Sequence, residues 1–138
     1  MTQPNPQPVI AVVDDDPVYQ FTASRTLKAS HLAEQILQFP NGKEALDFLN
    51  NNAANPGALP DFVFLDINMP ITDGWKFLEE FTKLKDEIKK EMRIYVVSSS
   101  IDPRDLNRAR SNPEVSGYVE KPVTGVKFTE LLATFSKR

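Results

Sequence analysis

The chain alternates short apolar runs with longer segments in which apolar residues recur at helical spacing. Continuous apolar runs of four to five residues are typical of strands in a sheet that is buried on both faces. Strands that alternate with helices predict right-handed βαβ units and one parallel sheet. The predicted strands are Val9–Val13, Gln35–Phe39, Asp61–Leu65, Ile94–Val97 and Gly117–Glu120.

The first predicted helix begins at Pro17 and runs to about Ser30. Proline suits the first turn of a helix, and Asp16 can cap the free backbone N–H groups there. Phe21 and Leu27 are the strongly apolar residues at helical spacing, so we expect both to face the core.

Four further helices are predicted by the same spacing. One is capped by Asn41, a third runs from near Trp75 to at least Leu84, a fourth is Pro103–Ser111, and the last is Val126–Phe135. Their expected inward positions are Ala45, Leu46, Phe48 and Leu49, then Phe77, Leu78, Phe81 and Leu84, and finally Val126, Leu131, Leu132 and Phe135.

The connecting segments are polar or rich in turn-forming residues. We expect a long polar loop over Asn50–Pro60, a loop over Ile71–Gly74, and a solvated helix end over the charged run Lys85–Arg93. Gly74 should provide either a positive φ or room for close packing.

Length and composition predict a soluble single domain. The 138 residues suit one domain over residues 9–138, after a flexible, proline-rich lead-in over residues 1–8. A net charge of −3 gives no indication of nucleic-acid or membrane binding, and the absence of cysteine excludes disulfides and thiolate metal sites. The N-terminus lacks the features of a signal peptide and no apolar run spans a bilayer, so a cytoplasmic location is expected.

Polar side chains follow four of the predicted strands at the point where each strand ends. They are Asp14, Asp15, Asp66, Ser98 and Lys121. In open parallel sheets, ligands bind beyond the carboxyl ends of the strands. We therefore expect these five side chains to share one site.

The three carboxylates would repel one another unless a cation relieved the repulsion. Mg²⁺ accepts carboxylate and carbonyl oxygens, whereas no histidine or cysteine is placed to favour zinc. Capping of the first helix explains only one of the three consecutive aspartates, Asp14 to Asp16. The sequence therefore predicts a Mg²⁺ site.

The same group can support phosphoryl transfer. A positioned carboxylate such as Asp66 can attack phosphorus, while Mg²⁺ and Lys121 neutralise the phosphoryl oxygens. A serine hydroxyl can donate a hydrogen bond to the new group. Ser98 and Ser99 both stay open as that donor, although strand alternation disfavours both facing the site and Ser98 is preferred. Proline permits a cis Lys121–Pro122 bond without requiring it.

In this order and at these strand ends, the motifs resemble the response-regulator receiver domain of two-component signalling. The resemblance extends from Val9 to about Phe135 and implies a flavodoxin-like, doubly wound (βα)5 fold with strand order 2-1-3-4-5. The matching segments are Val13-Asp14-Asp15-Asp16-Pro17, Leu65-Asp66-Ile67-Asn68-Met69-Pro70, Asp73-Gly74, Val97-Ser98-Ser99-Ser100 and Gly117-Tyr118-Val119-Glu120-Lys121-Pro122.

The resemblance implies a role for each matching residue. Asp66 matches the phosphoacceptor. Asp15 matches the aspartate that binds Mg²⁺ directly, Asp14 its neighbour that acts mainly through water, and Asn68 the residue that supplies a backbone carbonyl. The remaining matches are the phosphate-binding lysine, the hydroxyl switch and the aromatic switch, at Lys121, Ser98 and Tyr118.

The resemblance also implies partners. A sensor histidine kinase or histidine phosphotransfer protein would donate the phosphoryl group, and the face of helix 4, strand 5 and helix 5 would contact a downstream protein. The chain ends at Arg138, just past the last helix, so we expect a stand-alone receiver of the chemotaxis-regulator type without an output domain. Such a domain is a signalling switch and not an enzyme.

Three other functions use similar residues and fit this sequence less well. A haloacid-dehalogenase-type hydrolase needs a second acid two residues after its nucleophile, where this chain has Asn68. In a flavin mononucleotide carrier, the aspartates after the first strand would repel the phosphate. The remaining alternative is a pseudo-receiver, a constitutive protein-binding module that has lost phosphorylation. His31, the single histidine, lacks the helical-bundle context of a phosphohistidine.

Overall fold

The computed structural model describes residues 7–69, 73–88, 90–99, 102–133 and 135. Within these residues, five strands alternate with five α helices, and a short 3-10 helix, Lys85–Glu87, follows the third helix. The strands are β1 (Val9–Val13), β2 (Gln35–Phe39), β3 (Phe62–Asp66), β4 (Arg93–Ser98) and β5 (Val115–Glu120). The helices are α1 (Pro17–Ala29), α2 (Gly42–Asn51), α3 (Gly74–Leu84), α4 (Pro103–Ser111) and α5 (Gly125–Leu132).

The strands form one parallel sheet in the order β2-β1-β3-β4-β5, which confirms the predicted topology. Val13 pairs with Leu65, Asp66 pairs with Val97, and Ser98 pairs with Glu120. Because these partners are last or near-last in their strands, the carboxyl ends of β1, β3, β4 and β5 lie side by side.

The core lies on both faces of the sheet. Every residue of β1 and β3 is buried, as their continuous apolar sequences predict. One apolar cluster packs under α2 and α3, and a second packs under α1 and α5. The rings of Phe64 in β3 and Phe128 in α5 pack edge to face with centroids 5.1 Å apart, which links the sheet to the helices α1 and α5.

Most predicted elements are confirmed, with shifts at their ends. The bounds of β1, β2 and α4 match the prediction, β3 is displaced by one residue, and α2 continues to Asn51. Both β4 and β5 begin earlier than predicted, since Arg93 pairs with Phe62 and Val115 pairs with Ile94. In α3, the expected inward residues Phe77, Leu78 and Phe81 are buried.

Two apolar residues predicted to face the core are exposed. Phe21 is 64% exposed and Val126 is 73% exposed. On α1 the inward position belongs instead to Gln20, whose side-chain amide donates to three carbonyls at the ends of β1 and β2. On α5 the buried residues are Phe128 and Leu132. The prediction counted apolar residues and missed a polar side chain with buried partners.

The charged run Lys85–Arg93 is not a solvated helix end. Only its first three residues continue α3, as the 3-10 helix. Ile88 is buried, Arg93 belongs to β4, and the Lys90 ammonium lies 3.1 Å from the Asp61 carboxylate. Lys89 lies outside the described residues. The charged run predicted a solvated segment, but Lys90 is largely buried because it pairs with Asp61, which is distant in sequence.

The segment after β3 passes very close to the start of α3. Asp73 caps α3 by accepting from the Lys76 N–H, and Gly74 is the first helical residue. A Cβ on Gly74 would lie 2.7 Å from Ile67 Cα, so this glycine provides close packing and not a positive φ. Of the loop predicted before it, residues 71 and 72 lie outside the described residues. The Lys121–Pro122 bond is cis.

Candidate functional site

Three carboxylates meet at the carboxyl edge of the sheet. Asp14 directly follows β1, Asp15 follows it, and Asp66 is the last residue of β3. One oxygen from each lies within 4.8 Å of the others. Asp14 and Asp66 are almost fully buried, whereas Asp15 is exposed. The parallel register brings the ends of β1 and β3 together, as the sequence predicted.

Asp66 is held at the edge of the sheet by its own turn. Its Oδ1 accepts a hydrogen bond from the Asn68 backbone N–H at 3.0 Å. Burial raises the pKa of the Asp66 carboxyl, and the negative charges of Asp14 and Asp15 raise it further. The Asn68 N–H and Lys121 oppose that shift without cancelling it. The negative charge of the Asp66 carboxylate is therefore only partly balanced by its hydrogen bond and by Lys121, at a site with limited access to water.

Asp14 connects the acidic cluster to the start of α1. Its Oδ1 accepts from the Asp16 backbone N–H at 2.9 Å, and its Oδ2 lies 2.6 Å from the Lys121 Nζ. Asp16 caps α1 as predicted, by accepting from the Val18 and Tyr19 N–H groups. Asp14 and Asp16 thus have separate roles, one at the acidic cluster and one as the cap of α1.

Lys121 is the cation of the site. Its Nζ lies 2.6 Å from Asp14 and 3.6 Å from Asp66. Its backbone N–H donates to the Ser98 carbonyl at 2.8 Å, which ties the end of β5 to the end of β4. Burial by itself would lower the pKa of this lysine, but the two carboxylates outweigh that effect and raise it. The ammonium therefore remains charged at neutral pH.

The two predicted switch residues lie on neighbouring strands. Ser98 ends β4 and is buried, whereas Ser99 is exposed. Tyr118 lies in β5 opposite Val96, half-buried against the cluster under α2 and α3. Ser98 therefore lies at the same edge as the acidic cluster, and Tyr118 lies farther along the sheet. His31 is exposed in the turn after α1, with a φ of 54°.

Tyr19 is a member of the site that sequence reasoning missed. The Lys121 Nζ lies 4.4 Å from the centroid of its ring. The hydroxyl is buried and has no hydrogen-bond partner among the described residues. Burial raises the pKa of this hydroxyl, and the charges of Asp14 and Asp66 raise it further, so it stays protonated. A single tyrosine on a helix matches no motif, and no sequence signal separates it from a core aromatic.

The donor atoms fit a hard divalent cation. All three clustered side chains offer carboxylate oxygens, with no nitrogen or sulfur in the group. Mg²⁺ binds proteins through one or two carboxylates, with its remaining positions on carbonyls, water or phosphate. Burial and the like charges of Asp14 and Asp15 raise the pKa of the Asp66 carboxyl, and a cation bound among these oxygens would favour its ionised form.

A doubly wound parallel α/β fold with an acidic cluster and a lysine at its carboxyl edge defines the class of this protein. A family model for the response regulator receiver domain matches residues 10–133. The chain therefore belongs to the receiver domain family of two-component signalling. Receiver domains bind Mg²⁺ at an acidic pocket of this kind and interact with histidine kinases or phosphotransfer proteins.

Two curated relatives are each 28% identical to this chain over the aligned residues. The probable methanogenesis regulatory protein FilR2 of Methanothrix harundinacea is 28% identical over 116 residues, which cover 84% of this chain and 73% of that protein. The sensor histidine kinase CheAY of Helicobacter pylori is 28% identical over 130 residues. That match covers 94% of this chain but only 15% of CheAY, so this chain resembles a small part of it.

Solved structures agree with the fold. A two component response regulator from Cytophaga hutchinsonii has a TM-score of 0.81 at 28% identity, with 92% of this chain and 97% of that chain covered. A response regulator receiver protein from Dyadobacter fermentans has a TM-score of 0.79 at 28% identity, with 90% of this chain and 94% of that chain covered.

Among the described residues, no helix is long and apolar enough to cross a membrane.

Proposed function

We propose that Asp66 accepts a phosphoryl group from a phosphohistidine of a sensor histidine kinase or histidine phosphotransfer protein. One observation carries the proposal: the buried Asp66 carboxylate lies between two other carboxylates and the Lys121 ammonium at the switch-point edge of the sheet. Ligands of doubly wound folds bind at that edge. Membership of the receiver family supports the same reaction.

The transfer forms one bond and breaks one bond. An Asp66 carboxylate oxygen attacks phosphorus, the phosphorus–nitrogen bond of the donor breaks, and the leaving imidazole keeps the electron pair and takes a proton from water. Lys121 is the residue proposed to bind the phosphoryl oxygens, because its Nζ already lies 3.6 Å from Asp66. The acyl phosphate changes the charge at Asp66, and this change is what the domain would transmit to its partner.

Asp14, Asp15, Asp66 and the backbone carbonyl of Asn68 are the groups proposed to hold Mg²⁺. A bound Mg²⁺ would neutralise charge between the carboxylates and the phosphoryl oxygens. The protein's part is to keep two of these carboxylates buried and oriented. The N–H groups of Asp16 and Asn68 do so, since each donates to one oxygen of a clustered carboxylate.

The output is proposed to be a change in the face formed by α4, β5 and α5, with Ser98 as the hydroxyl switch and Tyr118 as the aromatic switch. Ala109 is the one buried residue of the polar helix α4. Arg108 of α4 lies 4.5 Å from the ring centroid of Trp75 at the start of α3. Because α4 has few apolar contacts, it should be easy to displace. Phosphorylation would have to supply about 5.5 kcal/mol to reverse a 1:99 equilibrium between the inactive and active conformations.

The downstream partner is proposed to be a protein in the cytoplasm. The net charge of −3 gives no support to nucleic-acid or membrane binding. All five strands, from β1 to β5, share one sheet, which supports a single domain over residues 9–138.

The test is phosphoryl uptake from a small donor. The protein is incubated with Mg²⁺ and acetyl phosphate, and intact mass is measured beside Asp66→Asn. We expect one added phosphoryl group, lost in Asp66→Asn and when a chelator removes the metal. Asp16→Asn is the matched control, because asparagine also caps a helix and the same charge is lost beside the cluster. Absence of uptake in every form would favour the pseudo-receiver.

A further inference from the structure

Tyr19 combines three features that packing alone does not require. Its ring lies under the Lys121 ammonium at 4.4 Å, within the range of cation–π attraction. Its hydroxyl is buried without a partner among the described residues, although tyrosine hydroxyls usually find one when buried. The residue also lies on α1, a different element from every charged group that it faces at the site.

Lys121 has a conflict of partners that this ring can resolve. The Asp14 carboxylate is the nearer one at 2.6 Å, and Asp66 lies at 3.6 Å. A lysine that served only as the partner of Asp14 would be of little use to a phosphoryl group on Asp66. The face of an aromatic ring attracts an ammonium group without bearing a formal charge. It can hold the ammonium beside Asp66 without neutralising it.

We propose that Tyr19 is a positioning residue, whose ring face keeps the Lys121 ammonium in reach of Asp66 for phosphoryl transfer. The inference rests on the proposed function, because Lys121 must act on a phosphoryl group at Asp66 for its position to matter. The ring does the positioning, and the hydroxyl is dispensable. The raised pKa of the hydroxyl agrees with this, since a neutral tyrosine adds no charge beside Asp14 and Asp66.

Three substitutions separate the ring from its hydroxyl and from general packing. Tyr19→Phe keeps the ring face and should phosphorylate at nearly the wild-type rate. Tyr19→Leu replaces the ring by a smaller apolar side chain, and we expect about a tenfold lower rate constant with acetyl phosphate, which equals about 1.4 kcal/mol. Phe21→Leu makes the matched change on an exposed face of the same helix and should leave the rate unchanged.

A double-mutant cycle shows whether Tyr19 acts through Lys121. In a Lys121→Ala background there is no ammonium to position, so Tyr19→Leu should change the rate less than twofold. A tenfold loss that persists in that background would overturn the proposal, and so would a wild-type rate for Tyr19→Leu with Lys121 present. Because the cycle compares rates within one background, a general loss of packing would affect both backgrounds equally.

Two further measurements separate the possible failures. Thermal unfolding of each variant shows whether it is folded, and Tyr19→Phe should be at least as stable as wild type because a buried unpaired hydroxyl is removed. If wild type takes up no phosphoryl group, the proposed function fails and the inference fails with it. If wild type is phosphorylated and Tyr19→Leu behaves like Phe21→Leu, only the inference fails.

Discussion

β3 has an acid and a lysine in contact at each of its ends, and the two contacts differ in how fully they are satisfied. At the amino end, Asp61 accepts from the Val9 N–H at 2.8 Å and lies 3.1 Å from the Lys90 Nζ. The same ammonium donates to the carbonyls of Leu59 at 2.6 Å and Pro56 at 3.0 Å. Every group in this contact has partners, so it fastens the loop before β3 to the sheet.

At the carboxyl end, charge is left over. Among the described residues, the Lys121 ammonium pairs with Asp14 and Asp66 of the three clustered carboxylates, Asp14, Asp15 and Asp66, so these four side chains carry a formal charge of −2. Burial and like charge hold the pKa of Asp66 above its usual range. An acid and a lysine whose polar atoms all have partners stabilise the fold, whereas a cluster with excess negative charge can be neutralised by a metal cation.

The largest effect is expected from breaking the saturated contact. Lys90→Met keeps the apolar stem and leaves the largely buried Asp61 carboxylate without its cation. We expect the free energy of unfolding to fall by about 3 kcal/mol, and the melting temperature by roughly 10 °C. Thermal unfolding measures both, and phosphoryl uptake of the folded protein should be unchanged.

Lys43→Met is the control for that experiment. Lys43 pairs with Asp47 at 3.1 Å on the exposed surface of α2, so its loss should cost less than about 0.5 kcal/mol. If the two variants lost equal stability, the contact at the amino end of β3 would be no more structural than a surface ion pair.

A smaller effect should distinguish the backbone packing at the two ends. A Cβ on Gly74 would lie 2.9 Å from the Asp66 carbonyl oxygen, whereas one on Gly57, in the loop before β3, would meet only the Asn55 side chain at 3.7 Å. We expect Gly74→Ala to cost about 2 kcal/mol and Gly57→Ala to stay within about 0.5 kcal/mol. Urea unfolding provides the comparison, and equal values would show that the turn after Asp66 can relax.

The smallest effect has the opposite sign. Asp15→Asn removes one of the repelling charges, so without metal the unfolding free energy should rise by about 0.5 kcal/mol. Mg²⁺ should stabilise the wild type by mass action and should stabilise Asp15→Asn much less. Thermal unfolding with and without Mg²⁺ tests both statements. A loss of stability in Asp15→Asn without metal would mean that this cluster is as well compensated as the other end.

The sequence predicted the acidic residues at the carboxyl end of β3 but not the ion pair at its amino end. The continuous apolar runs of β1 and β3 alternate with helical segments and so predict a parallel sheet, and a parallel sheet brings the ends of β1 and β3, with Asp14 and Asp66, to one edge. The contact between Lys90 and Asp61 could not be predicted, because the lysine lies in a charged run and its partners are about 30 residues away. Local composition indicated solvent where the chain makes a buried contact.

Helix faces were predicted less well than strand ends. Phe21 was expected inside because periodicity counts apolar residues, but Gln20 takes that place by donating to three buried carbonyls. Those carbonyls are at Val12 of β1, at Asp14 just after β1 and at Phe39 of β2, so their convergence on one side chain depends on the completed fold. Tyr19 was not predicted for a related reason, since its contact at the site is with the Lys121 ammonium, which comes from a residue about 100 positions away in the sequence.

The central claim is tested most directly by locating the phosphoryl group. After reaction with acetyl phosphate and Mg²⁺, reduction with borohydride converts an aspartyl phosphate to homoserine, and peptide mass spectrometry then identifies its position. We expect homoserine at position 66 in wild type and at no position in Asp66→Asn. Homoserine at position 14, 15 or 61 instead, or none in the wild type, would contradict the assignment of Asp66 as the phosphoacceptor.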